Sequence, residues 1–147
     1  MSFSQDVKNY LKETAEEASV CCKKSFSDGL SGKISNFRCQ KCQTYYAAGV
    51  FCAYGTMSDP EKSFQLFVYA PVEVQELLYD MLSGSVSPKL GKSKGKSCIY
   101  FKGSEKVGDF LAFCRATPFA MKVYDVGIEK EEKGVSGFKV SAEDPRS

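Results

Sequence analysis

Histidine is absent from the 147 residues. Its absence removes the commonest general base and the imidazole metal ligand, and with them the Ser-His and Cys-His nucleophile arrangements. There is no GxxxxGK[ST] loop for nucleotide phosphates and no strand-linked GxGxxG. The run Gly91-Lys-Ser-Lys-Gly-Lys-Ser97 has the wrong spacing for a phosphate loop, and the residues after it read as strand. Long apolar runs are missing too: Met1 to Ala18 is polar and amphipathic, without the apolar centre of a signal peptide. The expectation is a cytoplasmic chain that does not engage a membrane. Neither sign of charge is in excess, since the formal net charge is +2, so any preference for polyanions must come from how charge is distributed.

What is present is enough for one domain with a real core. Hydrophobic residues make up 43% and charged residues 26%, ordinary for a soluble globular protein. Seven cysteines is an odd number, and without a secretory signal they read as reduced thiols. Cys52, Cys98 and Cys114 fall in apolar runs as small core residues. Cys21, Cys22, Cys39 and Cys42 cluster in the first third. Four thiolates bind zinc tetrahedrally when they converge, but adjacent Cys21 and Cys22 lack the two-residue gap that favours convergence. The expectation is therefore no cofactor and no metal, with these four the candidates if zinc is bound. A redox role for Cys39-x-x-Cys42 is weaker, because no thioredoxin-like strand precedes it.

The chain is organised around Thr44-Tyr-Tyr-Ala-Ala-Gly-Val-Phe-Cys-Ala-Tyr-Gly-Thr56, which reads as a helix with a small-residue face. A glycine inside a helix costs about 1 kcal/mol relative to alanine. Gly49 therefore needs a reason, and a second backbone approaching closely supplies one. Before it, Ser4 reads as an N-cap and Val7, Tyr10, Leu11 and Ala15 as the apolar stripe of a first helix. The Ser- and Gly-rich stretch from Ser19 to Phe37 reads as a connector, and contains no second copy of the small-residue helix.

After it, Gly55 to Ser58 and Ser63 to Ala70 predict a hairpin around the turn residues Asp59-Pro60-Glu61-Lys62. Pro71 opens a helix with Val74, Leu77, Leu78, Met81 and Leu82 inward, stopped at Gly84. Val86 to Leu90 and Ser97 to Lys102 predict a second hairpin around residues 91–96. Ser104 caps another helix ending near Ala116, and Phe119 to Lys130 is helix or strand. Residues 134–147 read as a flexible tail.

The segment Ala47 to Gly55 resembles the helix that defines the LAGLIDADG fold. The resemblance sharpens with Thr56-Met-Ser-Asp-Pro-Glu-Lys62, Ser104-Glu-Lys-Val-Gly-Asp-Phe-Leu111 and Met1-Ser-Phe-Ser-Gln-Asp-Val-Lys8. Together these look like the WhiA-type sporulation regulators, non-cleaving relatives of that fold. The resemblance implies an α+β fold, α-β-β-α-β-β-α with an antiparallel sheet, over residues 38–133, behind an N-terminal helix and connector at residues 1–37. It implies no structural metal at the Cys-Cys pair. In cleaving members the acidic residue before the final glycine of the motif holds a divalent metal. Here that position is Tyr54, and the other acidic position is Cys52, so cleavage is not expected; Asp59 is the nearest acid. The family pairs two repeats through the small-residue helix. One repeat therefore implies a homodimer with Ala48, Gly49 and Ala53 near its axis.

Between Asp80 and Glu105 there is no acidic residue, and Lys89, Lys92, Lys94, Lys96 and Lys102 fall in the second hairpin. Lysines so placed neutralise backbone phosphates without reading sequence, or simply keep an exposed hairpin soluble. The resembled fold sets its sheet face and hairpin loops on duplex DNA. The reading is a non-catalytic, DNA-binding, transcription-regulator-like protein without a helix-turn-helix and without a small-molecule substrate. A protein-interaction or dimerisation module that never touches DNA is the alternative. Alternation along Phe64 to Tyr69 leaves open which set faces outward.

Overall fold

The computed structural model describes residues 2–93 and 95–138, leaving aside the side chains of residues 93 and 131–138. In chain order the elements are α1 (Phe3–Glu16), α2 (Val20–Leu30), α3 (Gln40–Tyr54), β1 (Gly55–Met57), β2 (Gln65–Val68), α4 (Val72–Leu82), β3 (Lys89–Ser93), β4 (Lys96–Lys102), α5 (Ser104–Phe113) and α6 (Thr117–Phe138). The strands form one antiparallel sheet in the order β1-β2-β4-β3. The two expected hairpins therefore lie side by side, joined where β2 pairs with β4.

One face of the sheet carries the core. Leu66 and Val68 of β2 and Ile99 and Phe101 of β4 are fully buried. Phe101 meets Phe110 of α5 at 4.8 Å between ring centroids, and Phe110 in turn meets Phe51 of α3 at 6.0 Å. Val7 and Leu11 of α1 join the same cluster. Gln75 on α4 is buried, and its Nε2 donates to the carbonyls of Ala70 (2.7 Å) and Ser97 (3.0 Å), tying that helix to the sheet.

The largest departure from expectation is α2. Its buried residues are Cys22, Ser25, Phe26 and Gly29, which follow helical spacing. Two of them are serine and glycine, which hydropathy does not register as apolar. Packing against α3, the most extensive helix pair among the described residues, outweighs their poor helix propensity.

Smaller differences are local. Ser2, not Ser4, caps α1, its Oγ accepting from the Gln5 N–H at 3.1 Å. The second hairpin begins at Lys89 and closes through a turn in which Gly95 has φ 79°, a conformation that only glycine adopts freely. The segment read as helix or strand is the start of α6. That helix runs to Phe138, so the tail expected from residue 134 is helical at its start, and 139–147 lie outside the described residues. Lys130 fastens α6 to the β1–β2 loop through the carbonyls of Pro60 and Glu61.

Candidate functional site

Strand register settles which residues face away from the core. Thr56 pairs with Phe67, Phe67 with Tyr100, and Tyr100 with Lys89, while Gln65 pairs with Lys102. Paired residues share a face, so Thr56, Gln65, Phe67, Tyr100, Lys89 and Lys102 lie together on the open side. Phe67 stacks on Tyr69 at 6.1 Å and meets Tyr100 at 6.3 Å. The Lys102 ammonium sits 5.8 Å from the Tyr100 ring centroid, and the Tyr100 ring lies over Gly91, where a Cβ would come 2.7 Å from it. These aromatics were in the sequence, but alternation alone did not say which side they occupy.

The same register divides the expected lysines. Lys96 pairs with Ser93 and shares the open face with Lys89 and Lys102. Lys92 pairs with Ser97 and belongs to the opposite face, at the hairpin tip. Lys94 lies outside the described residues. The sheet thus presents an aromatic strip with cations along it, suited to phosphate contacts at its edge and to stacking or hydrogen bonding at its centre.

The motif positions that hold metal in cleaving relatives do other things here. Cys52 is buried, and its Sγ donates to the Lys8 carbonyl at 3.6 Å. Burial pushes that thiol up to about 11. The Tyr54 hydroxyl packs over Gly32. Neither offers a carboxylate, so a divalent cation of that kind is not matched by these side chains. Asp59 shapes the β1–β2 turn: its Oδ1 accepts from the Glu61 N–H at 2.9 Å, and its carbonyl accepts from the N–H groups of Lys62 and Ser63.

Gly49 meets α2 of the same chain, while Ala48 is buried and Ala53 exposed. The close approach that glycine needed is therefore made within one chain.

The four cysteines of the first third come together. Cys39 Sγ lies 3.8 Å from Cys21 Sγ, 3.6 Å from Cys22 Sγ and 3.6 Å from Cys42 Sγ. All four sulfurs fall within 4.8 Å of one another. The adjacency of Cys21 and Cys22, read as an obstacle, is not one: both are in the first turn of α2 and reach Cys39 from two sides. Cys39 is the N-cap of α3, and Cys42 is in its first turn. The thiols therefore gather where two helix N-termini meet, a setting that favours thiolate. Burial pushes the Cys22 thiol up to about 11. Burial also opposes ionisation of Cys42. Hydrogen bonds from the Ser25 hydroxyl, from the backbone N–H groups of Arg38 and Cys39 and from the Cys39 thiol outweigh it and bring Cys42 down to about 6. Among the described residues this is the one group of three or more metal-ligating side chains brought together.

The family model described as the WhiA LAGLIDADG-like domain matches residues 43–133. A relative from Alkaliphilus oremlandii (strain OhILAs) named "Probable cell division protein WhiA" is 28% identical over 130 residues, covering 87% of this chain and 39% of its own length. One of the same name from Clostridium botulinum (strain Hall / ATCC 3502 / NCTC 13319 / Type A) is 29% identical over 136 residues, covering 89% of this chain and 42% of its own length. The chain spans about two fifths of the length of these relatives. The crystal structure of full-length DUF199/WhiA from Thermatoga maritima aligns with a TM-score of 0.57 at 16% identity, over 66% of this chain and 35% of that one. That likeness is one of fold. Among the described residues no helix is long and apolar enough to cross a membrane.

Proposed function

The chain belongs to the WhiA LAGLIDADG-like domain family, and from that premise we propose that it is a non-catalytic module that binds double-stranded DNA in the cytoplasm, in the service of transcriptional control of cell division or sporulation. The observation that carries this reading is the open sheet face, where Phe67, Tyr69 and Tyr100 form a strip and Lys89, Lys96 and Lys102 stand along it. The lysines supply backbone phosphate contacts, and Thr56 and Gln65 supply polar contacts at the centre. The absence of a carboxylate at Cys52 and Tyr54 supports binding without strand cleavage.

Fluorescence anisotropy of a labelled duplex at low and physiological salt tests the reading, beside a Lys89→Glu/Lys96→Glu/Lys102→Glu variant. Salt-sensitive binding that the variant loses supports it. No binding by the unaltered protein at low salt removes it.

A second reading, a protein-interaction module, is favoured by a groove of about 640 Å³ between α4 and β3, lined in part by Val72, Gln75, Tyr79, Leu90 and Cys98. Val72 and Leu90 are each 58% exposed there, an apolar edge that a partner side chain would cover.

A further inference from the structure

We propose that Cys21, Cys22, Cys39 and Cys42 bind a single zinc ion as a tetrathiolate site that fastens the N-terminus of α2 to the N-terminus of α3. The geometry carries the proposal. A tetrahedral centre with metal–sulfur bonds of about 2.3 Å has sulfur–sulfur edges of about 3.8 Å. Three of the edges here measure 3.6, 3.6 and 3.8 Å, and the longest separation is no more than 4.8 Å. The remaining edges exceed the tetrahedral value by no more than about 1 Å. A disulfide, by contrast, requires about 2.05 Å, and all four thiols are free. Clusters of two or more irons hold their thiolates farther apart, so one ion fits this set and a cluster does not. Soft thiolate donors in tetrahedral array select zinc over magnesium or calcium.

The surroundings fit a tetrathiolate anion. With zinc bound, four thiolates carry a net charge of −2, which two helix N-termini offset. Cys21 also lines a depression of about 590 Å³ together with Lys24, Lys33 and Arg38, with Asp28 on the same wall. Thiol–thiol hydrogen bonds are weak, too weak to explain why four cysteines from two helices converge.

The site also has a structural use. Residues 31–38 between α2 and α3 contain no helix or strand, and α2 is built from residues with little helix propensity of their own. A metal joining the two helix starts holds one end of α2 on α3 while the Gly29–Gly49 crossing packs its last turn. The inference does not depend on DNA binding.

The test is the metal content of the 147-residue chain made in zinc-supplemented cells and purified under reducing conditions, measured by plasma mass spectrometry. About one zinc per chain is expected. Cobalt added to the stripped protein is expected to produce the red-region absorption of a tetrahedral tetrathiolate. Cys39→Ser and Cys42→Ser lose the zinc, whereas Cys98→Ser, outside the cluster, keeps it. Should the cluster variants fail to fold, chelator titration of the unaltered protein gives the same answer: its melting temperature falls by several degrees, on the order expected for loss of a bound ligand, and recovers on adding zinc. Folded, reduced protein that contains no zinc and produces no cobalt spectrum overturns the proposal. So does iron in place of zinc, or a native disulfide between two of the four cysteines trapped by alkylation at lysis.

Discussion

Gly29 and Gly49 face each other across a parallel helix pair, and each leaves room for the other helix's backbone. A Cβ on Gly29 would lie 2.5 Å from the Tyr46 carbonyl oxygen and 2.8 Å from the Val50 nitrogen. One on Gly49 would press into the Phe26 carbonyl and stand 3.1 Å from the Leu30 nitrogen. Backbone cannot rotate away as a side chain can. Gly49→Ala therefore destabilises the fold by about 2 kcal/mol, the overpacking cost exceeding the gain of about 1 kcal/mol in helix propensity. Gly29→Ala behaves alike. Gly84→Ala, where a Cβ meets nothing within 4 Å, shifts stability by less than about 0.5 kcal/mol. Urea denaturation of the three variants checks this, and a Gly49→Ala protein as stable as the parent would refute the crossing.

Face, not charge count, decides which lysines hold DNA under the proposed function. Reversing Lys89, Lys96 and Lys102 together weakens duplex binding and flattens the dependence of log affinity on log salt by up to about 3, at about 0.9 for each phosphate that is no longer neutralised. Adding Lys92→Glu, on the opposite face, leaves the slope of the triple variant nearly unchanged. Equal effects from every lysine would mean that the hairpin tip, not the sheet face, meets the DNA.

Buried Gln75 bridges α4 to two carbonyls of the sheet region. Gln75→Leu keeps the volume but leaves the Ala70 and Ser97 carbonyls without that donor. It should cost about 1–3 kcal/mol, read as a lower urea midpoint. The helix should loosen from the sheet, and hydrogen exchange in α4 should accelerate before exchange in α5.

Burial pushes the phenol of Tyr46 up to about 12, with the negative charge of Asp28 acting in the same direction. Its hydroxyl donates to the Lys33 carbonyl at 2.7 Å. In the unfolded chain a tyrosine ionises near pH 10. The folded state therefore holds its proton longer, and the stability this contributes is full below about pH 10 and is lost as pH rises toward about 12. Tyr46→Phe removes that component of the alkaline loss, and leaves the Lys33 carbonyl unpaired at a cost of about 1 kcal/mol at neutral pH. Denaturation from pH 8 to 12 on both proteins separates the two effects.

Legibility varied with how much of the signal was local. The small-residue helix, both hairpins, the apolar stripe of α4 and the turn at Asp59 were readable because spacing and turn chemistry act over a few residues. The helix α2 was not, because Ser25 and Gly29 face the core as small residues, not as apolar ones. The open face was half readable: its aromatics were visible, but the side they occupy depends on pairing between β2 and β4, more than thirty residues apart. The cysteine cluster was visible as composition and misjudged as geometry.

By itself, then, the sequence determined the α+β class, the two hairpins with the helix between them, and the family, since all of these reside in residue identity and short-range periodicity. Only the tertiary structure decided that Gly49 has its partner inside the chain, that Phe67, Tyr100, Lys89 and Lys102 share one face, and that four thiols meet at one point. Each of those depends on where two distant segments pack, and packing is a property of the whole core, not of any one stretch.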